Sequence, residues 1–137
     1  LSSSEEDELL EVFGGFVEES LEALDHCEPL LVRLNGVGGP PEDRVVGDVY
    51  RLFHGMKGSA GFLQLHVLVR ITHFAETVLG RVREGYLQGS TELADVLVRT
   101  CDVLRHRIEV AATTFADAPE TESDRSIMAD LDAFTGT

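Results

Sequence analysis

Apolar residues recur along this chain at the three-and-four spacing of an α-helix, and nowhere does a stretch hold the two-residue alternation of a strand. The first helix is predicted from about Ser4 to Leu34. Its apolar stripe is Leu9, Val12, Phe13, Phe16, Val17, Leu21, Leu24, Leu31 and Leu34, with Ser4 as N-cap and acids in the first turn. Gly14 and Gly15 weaken it, and Pro29 is expected to kink or interrupt its last turns. The glycine- and proline-rich run from Asn35 to Pro41 breaks the pattern, and Pro41 is suited to open the next helix.

That second helix is predicted from about Pro41 to Phe62, and a third from about Val67 to Glu84. Gly85 to Gly89 breaks the chain again, and Ser90 or Thr91 caps a fourth helix at about Glu92 to Thr113. A linker at about 115–122 leads to a weaker helix at about 123–134, with Ile127, Met128, Leu131 and Phe134 on its apolar side. Short connections make neighbouring helices antiparallel. The expected fold is all-α: an antiparallel four-helix bundle over about 4–114 with an additional C-terminal fifth helix, in one domain spanning residues 1–137.

Composition narrows this picture. The 137 residues are 43 % hydrophobic, enough for a core and too many for a disordered chain. A formal charge of −14 repels nucleic acid and anionic membranes, so neither is expected as a partner. The acid is unevenly placed: residues 1–32 hold ten Asp and Glu and no Lys or Arg, whereas residues 42–84 hold six basic and five acidic residues. Cys27 and Cys101 fall within helical patterns; a bridge between them is one reading, and reduced, buried thiols of a cytoplasmic domain is the favoured one. No apolar run approaches the ~20 residues of a membrane span. Leu1 is not an initiator methionine, which suggests a piece of a longer protein; the isolated domain is expected to be monomeric.

The chemistry concentrates in His54-Gly-Met-Lys57-Gly58-Ser59-Ala-Gly61. Lys57 is the only lysine, and it stands three residues after a histidine, on the same helical face. A histidine is a nucleophile able to carry a phosphoryl group, and an ammonium is a compact partner for an anion. At ~100° per residue, Gly47, Arg51, Lys57, Gly58 and Gly61 fall within about 60° of His54, while Val45, Val49, Leu52, Phe53, Met56 and Ala60 form the core face. His54 therefore points outward or to the edge of the core. Each mid-helix glycine costs about 0.5–1 kcal/mol relative to alanine. Three on one stripe leave a bare strip beside the imidazole where another protein's backbone can approach.

On the third helix, Leu68, Ile71, Ala75, Val78 and Val82 form the core face, so His73 and Glu76 sit away from its centre, able to flank helix two. A carboxylate accepting the Nδ1–H of His54 would fix the tautomer and leave the Nε2 lone pair free. Lys57 would then screen phosphoryl oxygens. His26, His66 and His106 have no comparable company. Two other classes fit parts of the pattern. A metal-binding helical bundle could take His54, His73 and Glu76, but carboxylate di-metal bundles need paired Glu-x-x-His motifs and further glutamates, and this chain has one reversed motif. An interaction module that keeps the fold without carrying phosphate is the other.

Taken together, His54-x-x-Lys57-Gly58-Ser59-Ala60-Gly61 and His73-x-x-Glu76 resemble the histidine phosphotransfer (HPt) domain of chemotaxis-type (CheA-like) histidine kinases, over nearly the whole chain. The His-x-x-Lys-Gly core is shared with phosphorelay HPt modules outside such kinases, which stay an alternative; His73-x-x-Glu76 at this distance points to the chemotaxis type. The resemblance implies phosphorylation of His54 on Nε2, activation of its ring by Glu76, and Lys57 and His73 in the same hydrogen-bonding network. Gly58 would be the close-approach position, with Gly61 and Arg51 beside it. It implies an ATP-binding kinase domain, of the same parent or its dimer mate, as donor, and a response-regulator receiver domain as acceptor. ATP and Mg belong to the kinase domain, with no cofactor or metal in this one. Gly55-Met56 and Leu63-Gln-Leu-His66 depart mildly from the family's usual residues.

Overall fold

A computed structural model describes residues 2–135; Leu1, Gly136 and Thr137, the ends of the predicted domain, lie outside the described residues. Its helices are α1 (Ser3–Val32), α2 (Asp43–Phe62), α3 (His66–Arg83), α4 (Thr91–Thr114) and α5 (Glu122–Asp132), with short 3-10 turns at Arg33–Asn35 and Ala133–Thr135. No strand occurs among the described residues. Each of the first four helices packs on the next and α4 closes on α1, which makes a four-helix bundle; α5 lies across α3 and α4.

Several ends differ from the pattern reading, each for a local reason. Ser2, not Ser4, caps α1, its side chain accepting from the Glu5 amide. Pro29 lies within α1 rather than breaking it. The lost backbone bond is outweighed by the apolar face on either side, where Leu24, Cys27 and Leu31 are buried. Pro41 stays outside α2, whose N-cap is Glu42. Ser90 caps α4 by accepting from the Leu93 amide, and Thr121 with Asp124 forms a reciprocal capping box on α5.

The core fills the space between the four helices. Phe13, Phe16, Leu24 and Leu31 of α1 meet Val49, Phe53 and Met56 of α2, Leu68, Ile71 and Val78 of α3, and Leu97, Leu104 and Ile108 of α4. The α1 stripe overreaches at its start: residues 2–12 are all exposed, Leu9 and Val12 included, whereas Ser20 and Cys27 are buried. The two long loops meet at one end, where Ser90 N donates to Leu34 O at 2.9 Å. Gly36, at φ +82°, is required there, since a Cβ would stand 2.5 Å from the Gly89 carbonyl oxygen. Helix α5 buries Ile127, Met128 and Leu131. Cys27 and Cys101 are buried and unpaired, and burial pushes the Cys27 thiol up to about 12.

Candidate functional site

The α2–α3 connection is short, with α2 ending at Phe62 and α3 starting at His66, so the two helices run back along one another. That places His54 and Lys57 of α2 beside Glu76 of α3. His54 Nδ1 lies 3.0 Å from Glu76 Oε1, and Lys57 Nζ lies 2.7 Å from Oε2. A carboxylate can only accept, so the proton of this contact belongs to Nδ1, and the neutral ring keeps its lone pair at Nε2. The His54 side chain is 63 % exposed while that of Glu76 is 11 % exposed, so the nucleophile reaches solvent and its orienting group does not.

Glu76 faces opposing influences. Burial alone would raise its carboxyl, but the Lys57 ammonium, the His54 contact and the Tyr50 hydroxyl together hold it below the ordinary glutamate value. It is therefore a carboxylate at neutral pH. Lys57 meets Oε2 as a close ion pair, and its side chain is 24 % exposed, so one side of the ammonium borders solvent.

His73 differs from expectation. His73 is exposed and its ring makes no hydrogen bond to His54, Lys57 or Glu76; beyond the helix's own bonds, its backbone carbonyl accepts from Thr77 Oγ1 at 3.0 Å. Glu76 turns inward from the edge of α3 while His73, one turn earlier, turns outward. The hydrogen-bonded set thus contains Lys57 but not His73.

The glycine strip is shorter than its spacing suggests. Gly47 is buried beneath Arg51, whose guanidinium would stand 3.3 Å from a Cβ there. Arg51 itself is exposed and paired with Asp48 at 2.6 Å. The rest of the strip is open: Gly58 and Gly61 are exposed, as is Gly55 beside them, and a Cβ at Gly55 or Gly58 would meet nothing within 4 Å. Beside it, a cleft of about 460 Å³ between α1 and α2 is lined by Gly15, Glu19, Gly58, Ser59, Phe62 and Leu63. The Phe62 ring stands 75 % exposed at its edge.

One member of the site escaped the sequence reading. Tyr50 donates its hydroxyl to Glu76 Oε1 at 3.2 Å and lies nearly parallel to the His54 ring, at 8° and 6.2 Å between centroids. Its signal was the spacing to His54, one turn earlier on the same helix, where side chains meet. The donor set of a metal site is not assembled: no group of three His, Cys, Asp or Glu is gathered among the described residues, and Lys57 covers the second oxygen of Glu76.

With this geometry in place, the similarity to known proteins is informative. The model of the Hpt domain family matches residues 9–113. The sensor histidine kinase CheAY of Helicobacter pylori is 30 % identical over 111 residues, which is 81 % of this chain and 14 % of the relative. The chemotaxis protein CheA of Rhizobium meliloti is 37 % identical over 89 residues, 65 % of this chain and 12 % of the relative. The chain thus spans only 12–14 % of the length of these two relatives. Among solved structures, the phosphorylated P1 domain of CheA3 in complex with CheY6 from R. sphaeroides superposes with a TM-score of 0.81 at 27 % identity, covering 90 % of this chain and 94 % of that one.

Proposed function

The chain belongs to the Hpt domain family, on its CheA-like side, and from that premise we propose that His54 is the residue that receives a phosphoryl group, at Nε2. The observation that carries this is the pairing of an exposed imidazole with a buried carboxylate at its Nδ1.

In the forward step, the Nε2 lone pair attacks the γ-phosphorus of ATP held by a kinase domain. The N–P bond forms, the bond to the β-phosphate oxygen breaks, and ADP leaves. The ring gains positive charge as the bond forms, and the Glu76 carboxylate on Nδ1 stabilises that charge. Lys57 turns from Glu76 to the phosphoryl oxygens. In the second step a receiver-domain aspartate oxygen attacks phosphorus, the N–P bond breaks, and the ring returns to its neutral form. Both steps depend on approach and alignment rather than on a substrate pocket, which suits the open strip at Gly55, Gly58 and Gly61.

ATP and Mg belong to the kinase domain in this reading, and the donor is a domain of the same parent or its dimer mate. A receiver as acceptor is supported by the similar P1 domain, which is complexed with CheY6. The buried, unpaired thiols fit a reducing, cytoplasmic setting, and no helix among the described residues is long and apolar enough to cross a membrane.

The test is phosphorylation by the cognate kinase with labelled ATP. Wild type takes up label that is stable to base and labile to acid, as a phosphoramidate is, and His54→Gln takes up none. Label persisting on His54→Gln would refute the assignment.

A further inference from the structure

Glu76 is gripped from two sides by residues of α2, and the two grips differ in what else they can do. Lys57 holds Oε2, but in the proposed mechanism its ammonium turns to the incoming phosphoryl group, so it must release the carboxylate to act there. Tyr50 holds Oε1, the same oxygen that accepts from His54 Nδ1, and its phenol is tied down elsewhere. The Arg83 guanidinium of α3 stands 5.3 Å over the Tyr50 ring, and the ring lies nearly parallel to that of His54, with centroids 6.2 Å apart. Arg83 and Glu76 are two turns apart on α3, so α3 clasps Tyr50 at its ring and at its hydroxyl.

We propose that Tyr50 is the positioning residue of this site: its hydroxyl keeps the Glu76 carboxylate aimed at His54 Nδ1 when Lys57 turns away to meet phosphate. A carboxylate held only by Lys57 would lose its second anchor at the moment the imidazole most needs a fixed acceptor. With Tyr50 in place, Oε1 stays in line and the Nε2 lone pair stays the reactive one. The phenol makes no contact with the reacting atoms in this scheme; it acts through Glu76.

Tyr50→Phe removes the hydroxyl and keeps the stacked ring. The first readout is the ring ¹⁵N spectrum of His54 in the unphosphorylated chain at alkaline pH. Wild type shows mainly the Nδ1–H tautomer, and so does Lys57→Met, in which Tyr50 alone steadies Glu76; Tyr50→Phe with Lys57→Met shifts to a mixture. The second readout is the rate of phosphorylation at saturating kinase, which falls about 3- to 10-fold in Tyr50→Phe, the size of one lost hydrogen bond. Tyr86→Phe, at the exposed second tyrosine, changes neither. The same tautomer ratio in Lys57→Met and in Tyr50→Phe with Lys57→Met overturns the proposal, whether the rate falls or not, because a ring that only packs would leave the tautomer alone. The rate arm rests on His54 as acceptor and the tautomer arm does not. Absence of label on wild type would therefore sink the acceptor reading and with it the phosphate-dependent step here, whereas a failed tautomer arm sinks this proposal alone.

Discussion

Two carboxylate clusters in this bundle use the same chemistry to opposite ends. At the site, Glu76 meets His54, Lys57 and Tyr50, and the cluster opens to solvent through an imidazole. At the far side of α3, Arg107 of α4 is closed in. Its guanidinium pairs with Asp124 of α5 at 2.5 Å and Asp117 of the linker at 3.2 Å, and also donates to the Ala118 and Pro119 carbonyls. Arg107 is 6 % and Asp124 2 % exposed. Asp117 also accepts from the Val67 amide at 3.1 Å, satisfying an open donor of the first turn of α3, and Arg70 of α3 reaches Glu120 of the linker. Every member of that cluster is spent on fixing the linker and α5 to the bundle. At the Glu76 cluster one ring nitrogen is left unspent. A cluster that is fully satisfied can only hold structure, whereas an exposed, unused lone pair next to a buried charge is available for chemistry.

The contrast is broken most forcefully at the buried end. Arg107→Met leaves Asp124 charged and without its cation, and should destabilise the fold by about 3–5 kcal/mol, read as a lower denaturant midpoint. Adding Asp124→Asn should recover part of that loss. Folded Arg107→Met should still accept label on His54, since the two clusters share no side chain.

Glu76→Ala inverts the pattern. Its cation partner, Lys57, is partly exposed and can return to solvent, so the loss of stability should be smaller than that of Arg107→Met. The phosphorylation rate should fall roughly 10²-fold while label still goes to His54. A Glu76→Ala protein as fast as wild type would remove the carboxylate from the mechanism.

The smallest effect is on pH dependence. The Glu76 carboxyl lies below its ordinary 4.5, so the unfolded chain binds its proton more readily than the folded one. Its contribution to stability is whole above the ordinary carboxylate range and is lost as pH falls through the lowered folded value. The gap in unfolding midpoint between wild type and Glu76→Gln should therefore narrow in acid and hold steady near neutrality.

Much of this was legible from residue order. Helices α2, α3 and α4 lie within two residues of their predicted ends because their apolar periodicity and flanking breakers are strong. His54, Lys57 and Glu76 stood out because spacing alone puts the first two on one face and the third on the rim of the next helix. The errors have physical causes. Leu9 and Val12 continue the apolar period of α1 yet stay exposed, because periodicity records which face is apolar and not how far a neighbour extends to cover it. His73 shares a motif and a helical face with Glu76, but the two stand about 60° apart on α3, and at the rim of the core face that offset leaves Glu76 buried and His73 exposed. Tyr50 was not singled out from the sequence, because its hydroxyl's partner, Glu76, lies on another helix 26 positions away.

The order of residues alone determined that the chain is helical, where its helices break, and which imidazole stands beside an ammonium and a bare glycine strip. These are local properties, set by periodicities within one or two turns. Which oxygen of Glu76 faces which partner, that Tyr50 joins it while His73 does not, and that α5 is clamped by a buried arginine were decided only when α2, α3 and α4 packed. Those contacts join residues 10 to 26 positions apart, and no periodicity along one helix encodes the rotation of its neighbour.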